Sequence, residues 1–270
     1  MHVTDLTDPR SLDRIDRPHR AAYSMRALGK RGLPEGIRLG GIDYWLARSV
    51  KHDFFAATGF YDDAAGRRVV VKVGRVQDFA GLPLVALGKW LCARERRFYV
   101  RLHDLYHVPK LLGTFEPTGI VVEYVEGTPL SAGAAIPDGF FDELQELLAE
   151  LHRRGLAYVD ANKLQNILIG TDNRPHLIDF QISWDPAEWG DGWLSHRILA
   201  HFQSEDNYHL LKHKSRLRPD EMTMQERESV HRKSLVLRVH RFLTKPYFKL
   251  RRRTFQRLRQ SGRLLPEGSK

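Results

Sequence analysis

Between Tyr44 and Val73 the chain carries three short stretches rich in β-branched and aromatic residues, YWLARSV, FFAATGFY and RRVVVKVG. The turn-prone run DDAAG separates the last two, so a small antiparallel sheet is the simplest outcome. From Leu84 to Leu105 the apolar spacing becomes helical, with Leu87, Leu91, Phe98 and Leu102 opposite several Arg residues. LLGTF and GIVVEYV then read as two further strands. After EGTPLSAGAAIPDG, the residues Phe141, Leu144, Leu147, Leu148 and Leu151 predict an amphipathic helix over about 139–154. Asp138 is its expected N-cap and Gly155 its expected stop. Strands gathered first and helices after them predict an α+β chain.

Composition narrows the class further. With 270 residues, 42% of them hydrophobic, the chain supports two lobes or one large domain. No apolar run approaches the roughly 18 residues of a transmembrane helix, and MHVTDLTDPRSLDR lacks the apolar stretch of a signal peptide. A cytoplasmic location is therefore expected. Cys92 is the only cysteine, which excludes an internal disulfide and a cysteine zinc site, and the histidines show no HExxH-like spacing. Of the net charge of +10, all of the excess lies in residues 231–270, where thirteen Lys and Arg stand against the single acid Glu267. A basic segment of this kind points to an anionic partner of that segment. Residues 1 to about 36, interrupted by Pro9, Pro18 and Pro34, read as an extension with at most one short helix.

The stretch YVDANKLQNILIG places Asp160, Asn162, Lys163, Gln165 and Asn166 directly before a short apolar run. A second run, PHLIDF, follows after TDNR, and a two-residue turn at Asp172-Asn173 sets Asn166 across from Asp179. A carboxamide and a carboxylate on neighbouring strands can hold a hard cation such as magnesium. A hairpin with polar ends is the ordinary alternative. Three further positions weigh against it. Lys72 lies inside the apolar run VVVKVG, where its ammonium needs a counterion or an anionic ligand. Glu95 is the only acid between Phe79 and His103, and Asp160 sits just past a helix end.

In this order the residues resemble the protein kinase-like superfamily, over roughly residues 38–185. The resemblance implies a bilobal α+β fold with a small antiparallel β-sheet N-lobe and a mainly helical C-lobe. Its expected layout is an N-terminal extension over 1–37, the N-lobe over 38–125, the C-lobe over 126–220 and a basic amphipathic segment over 221–270. It implies ATP and Mg2+ as cofactors and transfer of the γ-phosphate to a hydroxyl acceptor, on a protein serine or threonine or on a sugar or lipid-linked glycan. VVVK makes Lys72 the phosphate-contacting lysine, and ARERRF makes Glu95 its partner. YVDANKLQN makes Asp160 the catalytic base and Asn166 a metal ligand, and IDFQ makes Asp179 the other metal ligand. GIVVEYVEG resembles the hinge, with backbone from Glu123 to Val125 facing adenine.

The departures are specific. No GxGxxG joins the first two strands, and SVKHDFF stands in its place, with Lys51 the candidate phosphate contact. Tyr158 and Val159 replace the usual His-Arg, the Asp160-to-Asn166 spacing is one residue long, and Gln181 replaces the Gly of DFG. No APE motif follows. These features point towards compact atypical kinases, RIO-like or lipopolysaccharide-kinase-like, and keep a pseudokinase scaffold as the alternative. WDPAEWGDGW is expected to pack against the helical lobe rather than to form an acceptor platform. Residues 234–263 mix Lys and Arg with Leu, Val and Phe at helical spacing. They are open to docking on the C-lobe, to peripheral binding of an anionic membrane surface and, as a weaker alternative, to RNA.

Overall fold

The computed structural model describes residues 23, 25–79, 81–115 and 117–230, together with the strand path of residues 2–5. The chain divides into two compact units, one running up to Val100 and taking in Lys110–Tyr124, the other built from Arg101–Pro109 and the described residues from Val125 onward.

The first unit is a closed barrel. Its strands are β1 (His2–Asp5), β2 (Gly36–Leu39), β3 (Ile42–His52), β4 (Ala56–Asp63), β5 (Arg68–Gly74), β6 (Leu111–Phe115) and β7 (Gly119–Glu123), in the order β1-β2-β3-β4-β5-β7-β6. Pairing is antiparallel except where β1 runs parallel to β6 and closes the ring. The five strands expected from pattern are all present. β1 and β2 are additions, since four residues each are too few for a period to declare itself, and both lie within or beside the stretch read as an extension. Closure leaves no unpaired sheet edge. Alternate residues of β4 and β5 point inward, so that Ala57, Tyr61, Val69, Val71 and Val73 join Ile37 and Val121 in one buried cluster. Burial of each such aliphatic side chain contributes about 1.5–3 kcal/mol. The Tyr61 hydroxyl meets its hydrogen-bonding need by donating to the Pro34 carbonyl at 2.6 Å.

Helix α1 (Val85–Arg101) follows, with Gly88, Leu91, Glu95, Phe98 and Tyr99 buried. A Cβ at position 88 would stand 1.9 Å from the Arg75 carbonyl oxygen, so the helix backbone lies directly on the chain leaving β5.

In the second unit α2 (Phe140–Arg153) buries the expected leucine stripe. Its N-cap, however, is Gly139 with φ 72°, and no side chain caps the helix. Asp138 instead pairs with Arg218 at 2.7 Å. Gly155, with φ 73°, is the expected stop, its N–H donating to the His152 carbonyl. The long helix α3 (Trp193–Leu217) packs against α2. A three-stranded sheet in the order β10-β9-β8 comprises β8 (Gly127–Pro129), β9 (Ile167–Gly170) and β10 (Pro175–Leu177).

The β9–β10 register differs by one residue from expectation. Ile169 faces Pro175 and Ile167 faces Leu177, which makes the loop Thr171-Asp172-Asn173 rather than a two-residue turn. Asn173, at φ 64°, supplies the left-handed residue that a three-residue hairpin needs. Asn166 consequently lies opposite Ile178, whose N–H donates to its carbonyl at 3.0 Å. Asp179 falls one position further along, so the derivation of a metal pair from facing residues is corrected. The tryptophan stretch differs in part: Trp184 packs on Phe202 of α3 as expected, while Trp189 and Trp193 are 52% and 76% exposed. Among the described residues no helix is long and apolar enough to cross a membrane. The basic stretch 234–263 lies outside the described residues.

Candidate active site

Strand β5 carries Lys72 between Thr58 of β4 and Ile120 of β7, so its backbone is fixed on both sides. Its Nζ lies 2.9 Å from Oε1 and 2.8 Å from Oε2 of Glu95 on α1, and the Glu95 side chain is only 3% exposed. A buried pair of this kind returns little net stability, because both ions lose hydration. What it secures is position: the ammonium is held in one place without a ligand. Lys51 lies near the end of β3 and pairs with Asp53 at 2.7 Å, in an exposed setting.

The β3–β4 connection is tight. Asp53 Oδ1 accepts from the N–H groups of Phe55 and Ala56, and Asp53 N–H donates to the Ala56 carbonyl. The buried Arg75 lies 4.0 Å from the Phe54 ring centre and donates to the Phe54 carbonyl at 2.8 Å. A guanidinium stacked under an aromatic ring thus fixes a tip that lacks glycine. Beside it, His52 Nε2 accepts the Leu28 N–H at 3.2 Å, and burial lowers its pKa to about 4. Glu123 ends β7 with its carboxylate accepting the Lys110 N–H at 3.2 Å. Val125, half-buried, is the first residue of the second unit after this strand.

In the second unit Asp160 is 3% exposed. Its Oδ2 accepts from Asn166 Nδ2 at 2.7 Å and from Lys163 Nζ at 2.7 Å. Among the described residues its Oδ1 takes part in no hydrogen bond. The additional residue of the loop is absorbed by two successive turns, in which Lys163 N–H bonds the Asp160 carbonyl and Asn166 N–H the Lys163 carbonyl. A carboxylate only accepts, so the Asn166 amide must present its NH2 to Asp160 and its Oδ1 elsewhere. That oxygen, the donor a hard cation requires, is unengaged among the described residues. Asp179 stands beyond β10 with φ 64°, and Phe180 behind it is fully buried, edge-on to Tyr158 at 5.2 Å. The donor set of Asn166 and Asp179, two side-chain oxygen ligands, fits magnesium in kind.

The backbone before Asp160 is strained. Val159 has φ 69°, and Asp160 N–H bonds the Tyr158 carbonyl at 2.8 Å across it, a γ-turn that β-branched residues avoid. The counterweight is Asp206 of α3, which is 0% exposed. Its two oxygens accept the N–H groups of Tyr158 and Val159, each at 2.8 Å, while His152 reaches the same carboxylate at 3.2 Å. Two turns further along α3, His213 donates Nε2–H to the Ala161 carbonyl at 2.9 Å, and burial keeps its pKa below the usual value. Ser183 Oγ donates to the Tyr158 carbonyl at 3.0 Å. Sequence reasoning missed Asp206 and His213. Neither lies in a recognisable motif, and the available signal was only an aspartate and a histidine seven residues apart on an otherwise ordinary helix.

The structure therefore brings Lys72 to Glu95 in one unit and Asp160 to Asn166 in the other. No protein-family model matches the chain, and no curated protein matches it in sequence. Among solved structures it is similar to the Rio2 kinase–ADP/Mg2+–phosphoaspartate complex from Chaetomium thermophilum, with 18% identity and a TM-score of 0.52 over 66% of this chain and 57% of that one. A second structure of Rio2 kinase from Chaetomium thermophilum gives 18% identity and a TM-score of 0.49, over 63% and 56%. The chain thus spans little more than half the length of these proteins. A barrel-like antiparallel unit holding a Lys–Glu pair, a helical unit with an Asp–Asn loop, and the likeness to the first of these structures identify a protein kinase-like fold of the kind seen in Rio2 kinase.

Proposed function

We propose that the chain is an ATP- and magnesium-dependent phosphotransferase acting on a hydroxyl group. The observation that carries this reading is the 2.7 Å bond between Asn166 and Asp160, which the lengthened loop preserves rather than breaks. Phosphoryl transfer asks a protein for positioning and charge neutralisation more than for covalent chemistry. Lys72, held by Glu95, neutralises phosphate charge. Asn166 and Asp179 would hold magnesium, which would supply further neutralisation of the triphosphate. Backbone near Glu123 to Val125 faces adenine, and Lys51 is a candidate phosphate contact.

The acceptor oxygen forms its bond to the γ-phosphorus as the bond from that phosphorus to the β,γ-bridging oxygen breaks. ADP leaves, and the hydroxyl proton passes to Asp160 Oδ1, the carboxylate oxygen that Asn166 and Lys163 leave open. Residence in the cytoplasm, with residues 234–263 at an anionic membrane surface, completes the reading.

A pseudokinase is the second reading, and one observation favours it: the tip at Asp53 to Phe55 lacks glycine and is tied down by Arg75. Incubation with γ-labelled ATP and magnesium or manganese separates the two. Wild type is expected to release or transfer the label, Asp160→Asn to bind nucleotide without transfer, and Asp179→Ala to lose magnesium-dependent nucleotide binding. Wild-type protein that binds nucleotide yet never moves the label under either metal would establish the pseudokinase.

A further inference from the structure

The stretch after Asp179 leaves unusually large apolar side chains in water. Ile182, Trp189, Trp193 and Leu194 are 46%, 52%, 76% and 55% exposed. Their support is rigid. Trp189 lies flat on Trp184, with ring centres 5.4 Å apart and planes 2° from parallel, and Trp184 in turn meets Phe202 of α3 at 5.6 Å. The Trp184 backbone exchanges two hydrogen bonds with Ala157, at 3.0 and 2.9 Å, three residues before Asp160. An exposed indole face is therefore held in fixed relation to the catalytic loop within one unit.

The polar frame around these rings selects the ligand. Residues 181–194 contain no Lys or Arg, and Arg101, which reaches the stretch, is held by Asp185, so a phosphate, a nucleic acid or an anionic membrane finds no cation supplied by the segment itself. Of its three carboxylates, Asp185 pairs with Arg101, Asp191 bonds His196 at 2.6 Å, and Glu188 is half-buried. A cationic peptide thus finds those two negative charges already engaged. What remains is a flat apolar face edged by hydrogen-bonding groups. The Asp191 and His196 side chains are 75% and 57% exposed, and the backbone at Gly190 and Gly192 has open space where side chains would stand. A pyranose ring has the matching pattern, C–H groups on its face and hydroxyls at its rim.

We propose that Trp189 and Trp193, with the Asp191–His196 pair, form a platform for a neutral sugar ring whose hydroxyl is the phosphate acceptor. Its role as acceptor rests on the phosphotransferase reading; its binding of sugar does not.

The full-length chain without nucleotide would be titrated calorimetrically with a panel of neutral pyranose mono- and oligosaccharides. Wild type should bind at least one sugar of the panel. Trp189→Ala should weaken that binding about tenfold, and Trp189→Phe, which keeps a stacking ring, about threefold or less. The thermal unfolding transition of Trp189→Ala should stay cooperative and close to that of wild type, which establishes that the variant is folded. No binding across the panel, or binding that survives Trp189→Ala and Trp193→Ala together, would overturn the platform. So would an outcome in which these substitutions weaken binding to an arginine-rich peptide or to phosphatidylglycerol vesicles and not to sugar. Sugar that binds but is never phosphorylated would refute the acceptor role alone. Label transfer to protein in a chain that binds no sugar would refute the platform and spare the phosphotransferase.

Discussion

The two units hold their polar residues by opposite means. Lys72 sits in a regular ladder, paired on both sides, with Glu95 against its ammonium. Asp160 sits on irregular backbone that repeats nothing, behind a valine at φ 69°, and depends on one buried carboxylate 46 residues away at Asp206. Periodic structure spreads the work of positioning over many equal hydrogen bonds. Irregular structure concentrates it on a few unequal ones, so the Asp160 loop should be far more sensitive to single changes than the Lys72 strand.

Removing the concentrated support is the harshest test of that contrast. Asp206→Ala leaves the Tyr158 and Val159 N–H groups without their acceptor, and should cost about 3 kcal/mol of stability and at least a hundredfold in phosphoryl transfer. Chemical denaturation and transfer kinetics measure the two losses. A variant that keeps near-wild-type transfer would remove Asp206 from its positioning role. Next in size, Val71→Gly in the barrel core should destabilise by about 3 kcal/mol, whereas Val159→Gly should stay within about 1 kcal/mol of wild type, since glycine accepts the positive φ freely. Equal losses in denaturant would mean that the γ-turn is not strained.

Glu95→Gln should act on function and on stability together. The carboxamide can still reach Lys72 but no longer neutralises it, so KM for nucleotide is expected to rise about tenfold and the melting temperature to fall, because a buried ammonium loses its counter-charge at Glu95. The smallest effect concerns pH. The folded pKa of His52 is about 4, below the 6.5 of an unfolded imidazole. Between those values the unfolded chain takes up a proton that the folded barrel refuses, so stability is full above about pH 6.5 and declines as pH falls towards 4. Comparison of His52→Gln with wild type across that range should flatten the slope.

Legibility in the sequence followed the same division. Strands β3 to β7 and helices α1 and α2 were readable because each repeats its period long enough to stand out. Lys72 and Glu95 came with them, as the odd polar members of apolar patterns. The loop was readable only as residue types in order. Its geometry turned on Asn173 adopting positive φ, which moved the hairpin register by one and set Asn166 opposite Ile178. Asp138 failed as a cap because Gly139 entered the helix through left-handed backbone, freeing the carboxylate for Arg218. The exposure of Trp189 and Trp193 lay beyond reach, since composition records how large a side chain is and not what stops short of covering it.

Gly88 carries a consequence for how the chain can vary. Because the α1 backbone rests on the carbonyl of Arg75 with no room for even a methyl group, the separation of helix from strand is set by main-chain atoms that every sequence shares. The reach from Glu95 to Lys72 is therefore indifferent to most changes in neighbouring side chains. A surface as rich in arginine as this helix can drift in composition over time while its inner face keeps a constant gauge, provided that one hydrogen atom at position 88 is never exchanged for a carbon.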